Sequence, residues 1–189
     1  MDRSLRQHWP EYLMEAALLG FFMISAGVFT ILLEHPASPI HTSLHSPLLR
    51  RALAGLAMGL TAIALIYSPW GRQSGAHFNP AVTLTFYHLE RIAAWDAVFY
   101  IAAQFVGGTL AVVLFASLAG DCFSTARYSA TLPGSMGPGA AFAAEFFISA
   151  LLMSVVLTAN NHPQLRKYTG LLCGMLVAPL SPLRVPTRE

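Results

Sequence analysis

Ser74-Gly75-Ala76-His77-Phe78-Asn79-Pro80-Ala81-Val82-Thr83-Leu84 sits between two long apolar runs and says more than either of them. Turn formers come first, then Asn-Pro, then an apolar stretch to Leu89. Asparagine is a favoured N-cap, and proline suits the first helical position, where its missing N–H would have no partner anyway. The pattern predicts a helix capped by Asn79, starting at Pro80 and ending near His88. At about 1.5 Å per residue, such a helix is too short to cross a hydrocarbon core of about 30 Å. It fits a re-entrant half-helix that enters a membrane and stops near its middle. Irregular backbone at that depth is tolerated only where protein buries it or where it lines a watery cavity. The alternative is that Asn79-Pro80 merely caps a helix lying in the membrane interface.

The surrounding sequence supplies the membrane. Of 189 residues, 55% are apolar and only 11% are charged, whereas a soluble domain carries about a quarter charged residues to face water. Residues 12–33, 95–119 and 140–159 form runs long enough to span. Residues 52–67 are slightly short, and residues 168–180 begin a fifth span without clearly finishing it. Glu15 near the start of the first run, with no small-residue cleavage site after it, argues against a secretory signal.

With the N-terminus in the cytoplasm, Arg3, Arg6, Arg72, Arg91, Arg166 and Lys167 fall inside; Arg50, Arg51, Arg127, Arg184 and Arg188 fall outside. This mild positive-inside bias predicts a cytoplasmic N-terminus.

Several function classes are excluded. A net charge of +2, with no basic cluster interleaved with aromatics, leaves no footprint for nucleic acid. Cys122 and Cys173 lie far apart without ligand spacing, so neither a metal nor a disulfide framework is expected, and no cofactor. His35, His41 and His45 are spaced irregularly among prolines and read as a solvated loop rather than a catalytic group. An enzyme is not expected.

The chain also repeats itself. Glu15-Ala-Ala-Leu-Leu-Gly-Phe-Phe finds an echo in Glu145-Phe-Phe-Ile-Ser-Ala-Leu-Leu. Ala54-Gly55-Leu56-Ala57-Met58-Gly59-Leu60 matches Thr169-Gly170-Leu171-Leu172-Cys173-Gly174-Met175, and both contain Gly-xxx-Gly, which lets helix backbones approach closely in lipid. The second copy starts three spans after the first, so it runs in the opposite sense, as in the inverted repeats of transport proteins. The expected organisation is a first repeat over residues 1–119, an incomplete second over 140–180 and an aberrant tail over 181–189.

The chemistry of a pore follows from the central segment. A half-helix aims its positive dipole end at the membrane centre and disfavours cations there. The Asn79 amide can donate to a passing oxygen. The carbonyls of Gly75, Ala76 and His77, in an extended loop without helical partners, can accept hydrogen bonds along the approach.

Ser-Gly-Ala-His-Phe-Asn-Pro-Ala-Val-Thr closely resembles the first signature loop of the aquaporins and glycerol facilitators, and the likeness extends over about residues 12–178. The resemblance implies an all-α membrane bundle of inverted repeats, here with about five spans plus one re-entrant half-helix. It implies a pore motif at Asn79, Pro80 and Ala81, and buried Glu15, Gln104 and Glu145 bonded to the backbone of the pore loops. A selectivity constriction would draw on Met58 or Gly59, which helix packing explains equally well. The expected cargo is water or a small neutral solute such as glycerol. The expected setting is the lipid of the cell (inner or plasma) membrane, with homotetramers if the channel is intact.

One departure stands out. Carrying the spacing from Gly59 to Asn79 onto the matching Gly174 places a second asparagine beyond Glu189, and no second Asn-Pro-Ala occurs. Asn160-Asn161-His162-Pro163 lies in the wrong loop, and the tail after Ser181 holds prolines and arginines that cannot continue a membrane helix. Arg184 and Arg188 lack the context of a filter arginine. The expectation is a C-terminally truncated relative, arising by frameshift or internal deletion; a non-conducting remnant is the alternative. A secondary transporter is less favoured, because no ionisable residue beyond the two glutamates lies inside the spans.

Overall fold

The computed structural model describes residues 2–126 and 137–180. Nine α-helices and one 3₁₀ turn account for nearly all of them, and no strand occurs among the described residues. In chain order they are α1 (Asp2–Glu34), α2 (Pro39–Ser43), α3 (Pro47–Tyr67), α4 (Pro69–Ser74), α5 (Pro80–His88), α6 (Ala94–Ala119), α7 (Asp121–Thr125), α8 (Gly137–Asn161) and α9 (Thr169–Leu180), the last preceded by the 3₁₀ turn Arg166–Tyr168. Four of them, α1, α3, α6 and α8, are long and apolar enough to cross a membrane. The fold is therefore an all-α membrane architecture, as the sequence leads one to expect. The fifth apolar run becomes α9, whose 12 described residues span about 18 Å. The tail expected to be aberrant, 181–189, lies outside the described residues, as does Arg127.

The chain forms two compact units, Met1–Ser25 with Ala64–Ala119 and Ala26–Ile63 with Gly120–Glu189. In the first unit, α1 and α6 meet backbone to backbone. A Cβ added at Gly107 would lie 2.2 Å from the Ala16 carbonyl oxygen, so no larger residue fits without moving a helix. Gly20 faces Ala111 in the same seam, at 3.3 Å from a Cβ built on the glycine. With lipid as apolar as leucine, such close packing, not hydrophobicity, drives helix association. Polar contacts hold the start of α1: Tyr12 Oη donates to Asp96 Oδ1 (2.6 Å), and His8 Nδ1 lies 3.0 Å from the same oxygen.

In the second unit the two Gly-xxx-Gly segments serve helix packing. A Cβ at Gly174 would lie 2.5 Å from the Gly59 carbonyl oxygen and 2.4 Å from Ile63 Cγ1. The loop after α1, which the sequence reads as solvated, is partly tied down. His41 Nδ1 is 2.9 Å from the Leu33 carbonyl, Ser38 Oγ donates to Leu32 O (2.5 Å), and Arg50 reaches both Glu34 (3.3 Å) and Leu44 O (2.9 Å). The His41 and Ser38 bonds take up carbonyls at the C-terminal end of α1 that have no intrahelical donor. Of the three loop histidines, His35 and His41 are half-buried and His45 is exposed.

Candidate functional site

The site lies in the first unit, where α4 stops and α5 starts. Ser68 caps α4 and Pro69 opens it; Gly75, at φ 95°, ends it in the left-handed region that costs glycine nothing. The chain then takes two more left-handed steps without glycine, Ala76 at φ 49° and Phe78 at φ 24°. Each costs on the order of 1–3 kcal/mol and persists only where the surroundings over-determine it. Asn79 returns to extended backbone (φ −153°, ψ 120°), and α5 begins at Pro80, as expected from the sequence.

Glu15 supplies the over-determination. Its carboxylate is completely buried and accepts four hydrogen bonds. The backbone N–H of His77 (3.0 Å) and Ser74 Oγ (2.7 Å) donate to Oε1; the backbone N–H of Phe78 (2.6 Å) and Gln104 Nε2 (2.7 Å) donate to Oε2. Four donors fill the acceptor capacity of a carboxylate. They also meet the demand that a carboxyl held within apolar helices be fully partnered. A backbone N–H on each side of the bond between His77 and Phe78 is thus pinned to one rigid side chain on a different helix.

A second ring of buried groups closes around this one. Tyr100 Oη donates to Ser74 O (2.7 Å), and Ser74 Oγ accepts from the Ala76 N–H (3.1 Å). Gln104 Nε2 also donates to Thr83 Oγ1 (3.0 Å), and Thr83 Oγ1 lies 3.1 Å from His77 Nδ1. The His77 ring stacks on Phe86 (centroids 4.9 Å) and lies 5.3 Å from Tyr100.

The other face of the loop is open. Gly75 and Asn79 are exposed. The carbonyls of Gly75, Ala76 and His77 accept no hydrogen bond among the described residues. Asn79 uses its oxygen to accept from the Ala81 N–H (2.9 Å), capping α5, and its NH₂ group has no acceptor among the described residues. The loop therefore keeps acceptors and a donor uncommitted, while Glu15 takes up the amides of His77 and Phe78.

The sequence-derived candidates fall into three groups. Asn79, Pro80, Ala81, Gly75, Ala76, His77, Glu15 and Gln104 come together here; Gln104 reaches the loop through Glu15 and Thr83 rather than by bonding its backbone. Glu145, expected to be buried against a pore loop, is half-buried on α8 in the other unit. Met58 is half-buried and Gly59 buried on α3, where Gly59 meets Gly174. Ser74, Thr83 and Tyr100 were not foreseen. Tyr100 precedes Gln104 by one helical turn, and two buried polar residues at that spacing in an apolar helix were the available signal. Among the described residues no three His, Cys, Asp or Glu side chains gather to hold a metal.

Comparison with known proteins agrees with this geometry. The profile of the family described as major intrinsic protein matches residues 5–183. A probable aquaporin AqpM of Archaeoglobus fulgidus is 31% identical over 94% of this chain and 75% of its own length. Glycerol uptake facilitator protein-like 6 of Lactiplantibacillus plantarum is 37% identical over 66% of the chain and 58% of that protein. Aquaporin Z of Photorhabdus laumondii is 29% identical over 69% of the chain and 60% of that protein. The chain thus spans about three fifths of the two bacterial relatives. A capped half-length helix behind a carboxylate-anchored loop and a match over most of the sequence lead to one conclusion: this chain belongs to the major intrinsic protein family.

Proposed function

We propose that this chain forms the Asn79 half of a passive channel for water or small neutral solutes such as glycerol. The observation that carries the reading is the loop of residues 75–79, whose carbonyls at Gly75, Ala76 and His77 and whose Asn79 NH₂ have no partner among the described residues, while Glu15 locks the amides of His77 and Phe78. A hydroxylic solute exchanges hydrogen bonds along such a ladder at little net cost, whereas an ion loses hydration and meets the positive end of α5. Asn79, Pro80 and Ala81 form the pore motif in this reading. Glu15 and Gln104 support the loop, and Glu145 is proposed to do the same in the second repeat, residues 140–180. One residue of α3, Met58 or Gly59, is proposed to contribute to the constriction. The names of the relatives, aquaporins and a glycerol uptake facilitator, support the same class of cargo. The setting proposed is the plasma membrane, with the N-terminus in the cytoplasm and four subunits assembled.

A second reading concerns the 189-residue polypeptide by itself. It carries one Asn-Pro-Ala motif, and one half-helix walls a pore on one side only. We propose that this polypeptide alone conducts little, and that flux appears when a relative's second motif and following span are joined to it. Stopped-flow shrinkage of proteoliposomes tests both readings. The joined chain should give fast water flux of low activation energy that substitution of Asn79 abolishes. Flux indifferent to Asn79 would reject the pore assignment; fast Asn79-dependent flux from the 189 residues alone would reject the second reading.

A further inference from the structure

One buried hydroxyl, Thr83 Oγ1, has no part in the ladder just described, yet it sits where it can decide what His77 presents to that ladder. Thr83 is completely buried, one turn into α5, between Gln104 of α6 and the His77 ring.

The hydrogen bonds around it can be assigned in sequence. Glu15 Oε2 already accepts from the Phe78 N–H, so the Gln104 atom 2.7 Å from it must be the donating NH₂ group. The same nitrogen lies 3.0 Å from Thr83 Oγ1, so the second amide hydrogen goes to the threonine oxygen. Thr83 is left with its own hydrogen to place. Gln104 Oε1 is 3.5 Å away and His77 Nδ1 is 3.1 Å away. Hydrogen bonds from a hydroxyl weaken steeply beyond about 3 Å, so the nearer imidazole nitrogen takes it. Nδ1 then accepts, and a neutral imidazole accepting at Nδ1 carries its hydrogen at Nε2.

We propose that Thr83 is a positioning residue that fixes His77 in the Nε2–H tautomer and so adds a donor beside the acceptor carbonyls of the loop. The ring's other edge supports this. A carbon built on Gly75, itself exposed, would lie 3.6 Å from His77 Nε2 and 3.7 Å from Cδ2. No protein hydrogen bond to Nε2 occurs among the described residues, and this atom is not among the fully buried unpartnered ones. Nε2 therefore reaches the open side of the loop. Phe86 and Tyr100 flank the ring, which keeps it from turning its other nitrogen outward. A solute passing Gly75 would meet a donor at Nε2 and acceptors at the carbonyls together; that consequence rests on the channel reading, whereas the tautomer does not.

The test is ¹⁵N NMR of the full 189-residue chain in lipid nanodiscs at neutral pH. Its seven histidines are separated by through-bond correlation of each ring to its own backbone. Wild-type His77 should show a protonated Nε2 and an accepting Nδ1. In Thr83→Val, which keeps the shape but not the hydroxyl, loss of one hydrogen bond should lower the ratio of the Nε2–H to the Nδ1–H form roughly five- to tenfold. Thr83→Ser should restore it. A hydrogen on Nδ1 in the wild type, a ring protonated at both nitrogens, or a ratio unchanged by the valine would each overturn the proposal. Should the valine variant fail to fold, the wild-type and serine spectra decide: Nδ1–H in either refutes it, and Nε2–H in both supports it. None of these readouts needs flux, so a silent pore with the expected tautomer would count against the channel reading alone.

Discussion

Replacing Glu15 by glutamine removes one of the two oxygens that hold the loop between α4 and α5, and the structure gives the cost. Each carboxylate oxygen accepts one backbone N–H and one side-chain donor. Whichever oxygen becomes NH₂, one backbone N–H of His77 or Phe78 loses its acceptor and faces another donor. Hydrogen bonds to a charged group contribute about 1.5–3 kcal/mol each, and a buried donor left unsatisfied costs about 1–3 kcal/mol. Two lost bonds, less what the loop recovers by relaxing, come to roughly 3 kcal/mol, a factor on the order of a hundred in local opening. The left-handed steps at Ala76 and Phe78 then have less to hold them, so the loop should open without unfolding the helices. Hydrogen exchange of the nanodisc-embedded protein, read by mass spectrometry, should show loss of protection on the order of a hundredfold at residues 76–78, with mid-α6 amides unchanged. Unchanged loop protection would refute the claim that Glu15 anchors it. Equal loss throughout α6 would mean that the glutamate holds the fold, not the loop.

Two further outcomes follow from the packing and the charge pattern. Gly107→Val pushes a side chain into the Ala16 carbonyl and should destabilise the α1–α6 seam by about 1–3 kcal/mol or more, read as a lower midpoint in thermal unfolding followed by circular dichroism. Cysteines placed at Arg166 or Lys167 should react with a membrane-impermeant reagent only from the cytoplasmic side; reaction only from outside would invert the topology.

The short helix α5 was legible because its signals are local. Asn79, Pro80 and the apolar run to Leu89 bring a cap, a first turn and a length within one short stretch, and α5 runs from Pro80 to His88 as read. Glu15 and Gln104 were recognised from the family likeness, not from spacing, since Glu15 meets residues 59 to 89 positions away in the chain. The left-handed turns at Ala76 and Phe78 had no such signal, because neither residue type favours that backbone; they persist where Glu15 holds the amides of His77 and Phe78. Helix α1 begins at Asp2 rather than at the first apolar residues, since His8 and Tyr12 are fastened to Asp96 of α6. Hydropathy marks only the part of a helix that faces lipid. Gly59 was open to two readings in sequence, and its contact with Gly174 supplies the packing one.

The proposed pore requires that α5 enter the membrane instead of lying on it. Spin labels at the exposed positions Ala81 and His88, read by the contrast between oxygen and a water-soluble relaxant, measure that depth directly. Ala81 should lie near the bilayer centre, with His88 about 10 Å closer to the headgroups, the rise of seven helical residues. Equal depths for both labels, at the level of the headgroups, would contradict the half-helix and the pore built upon it.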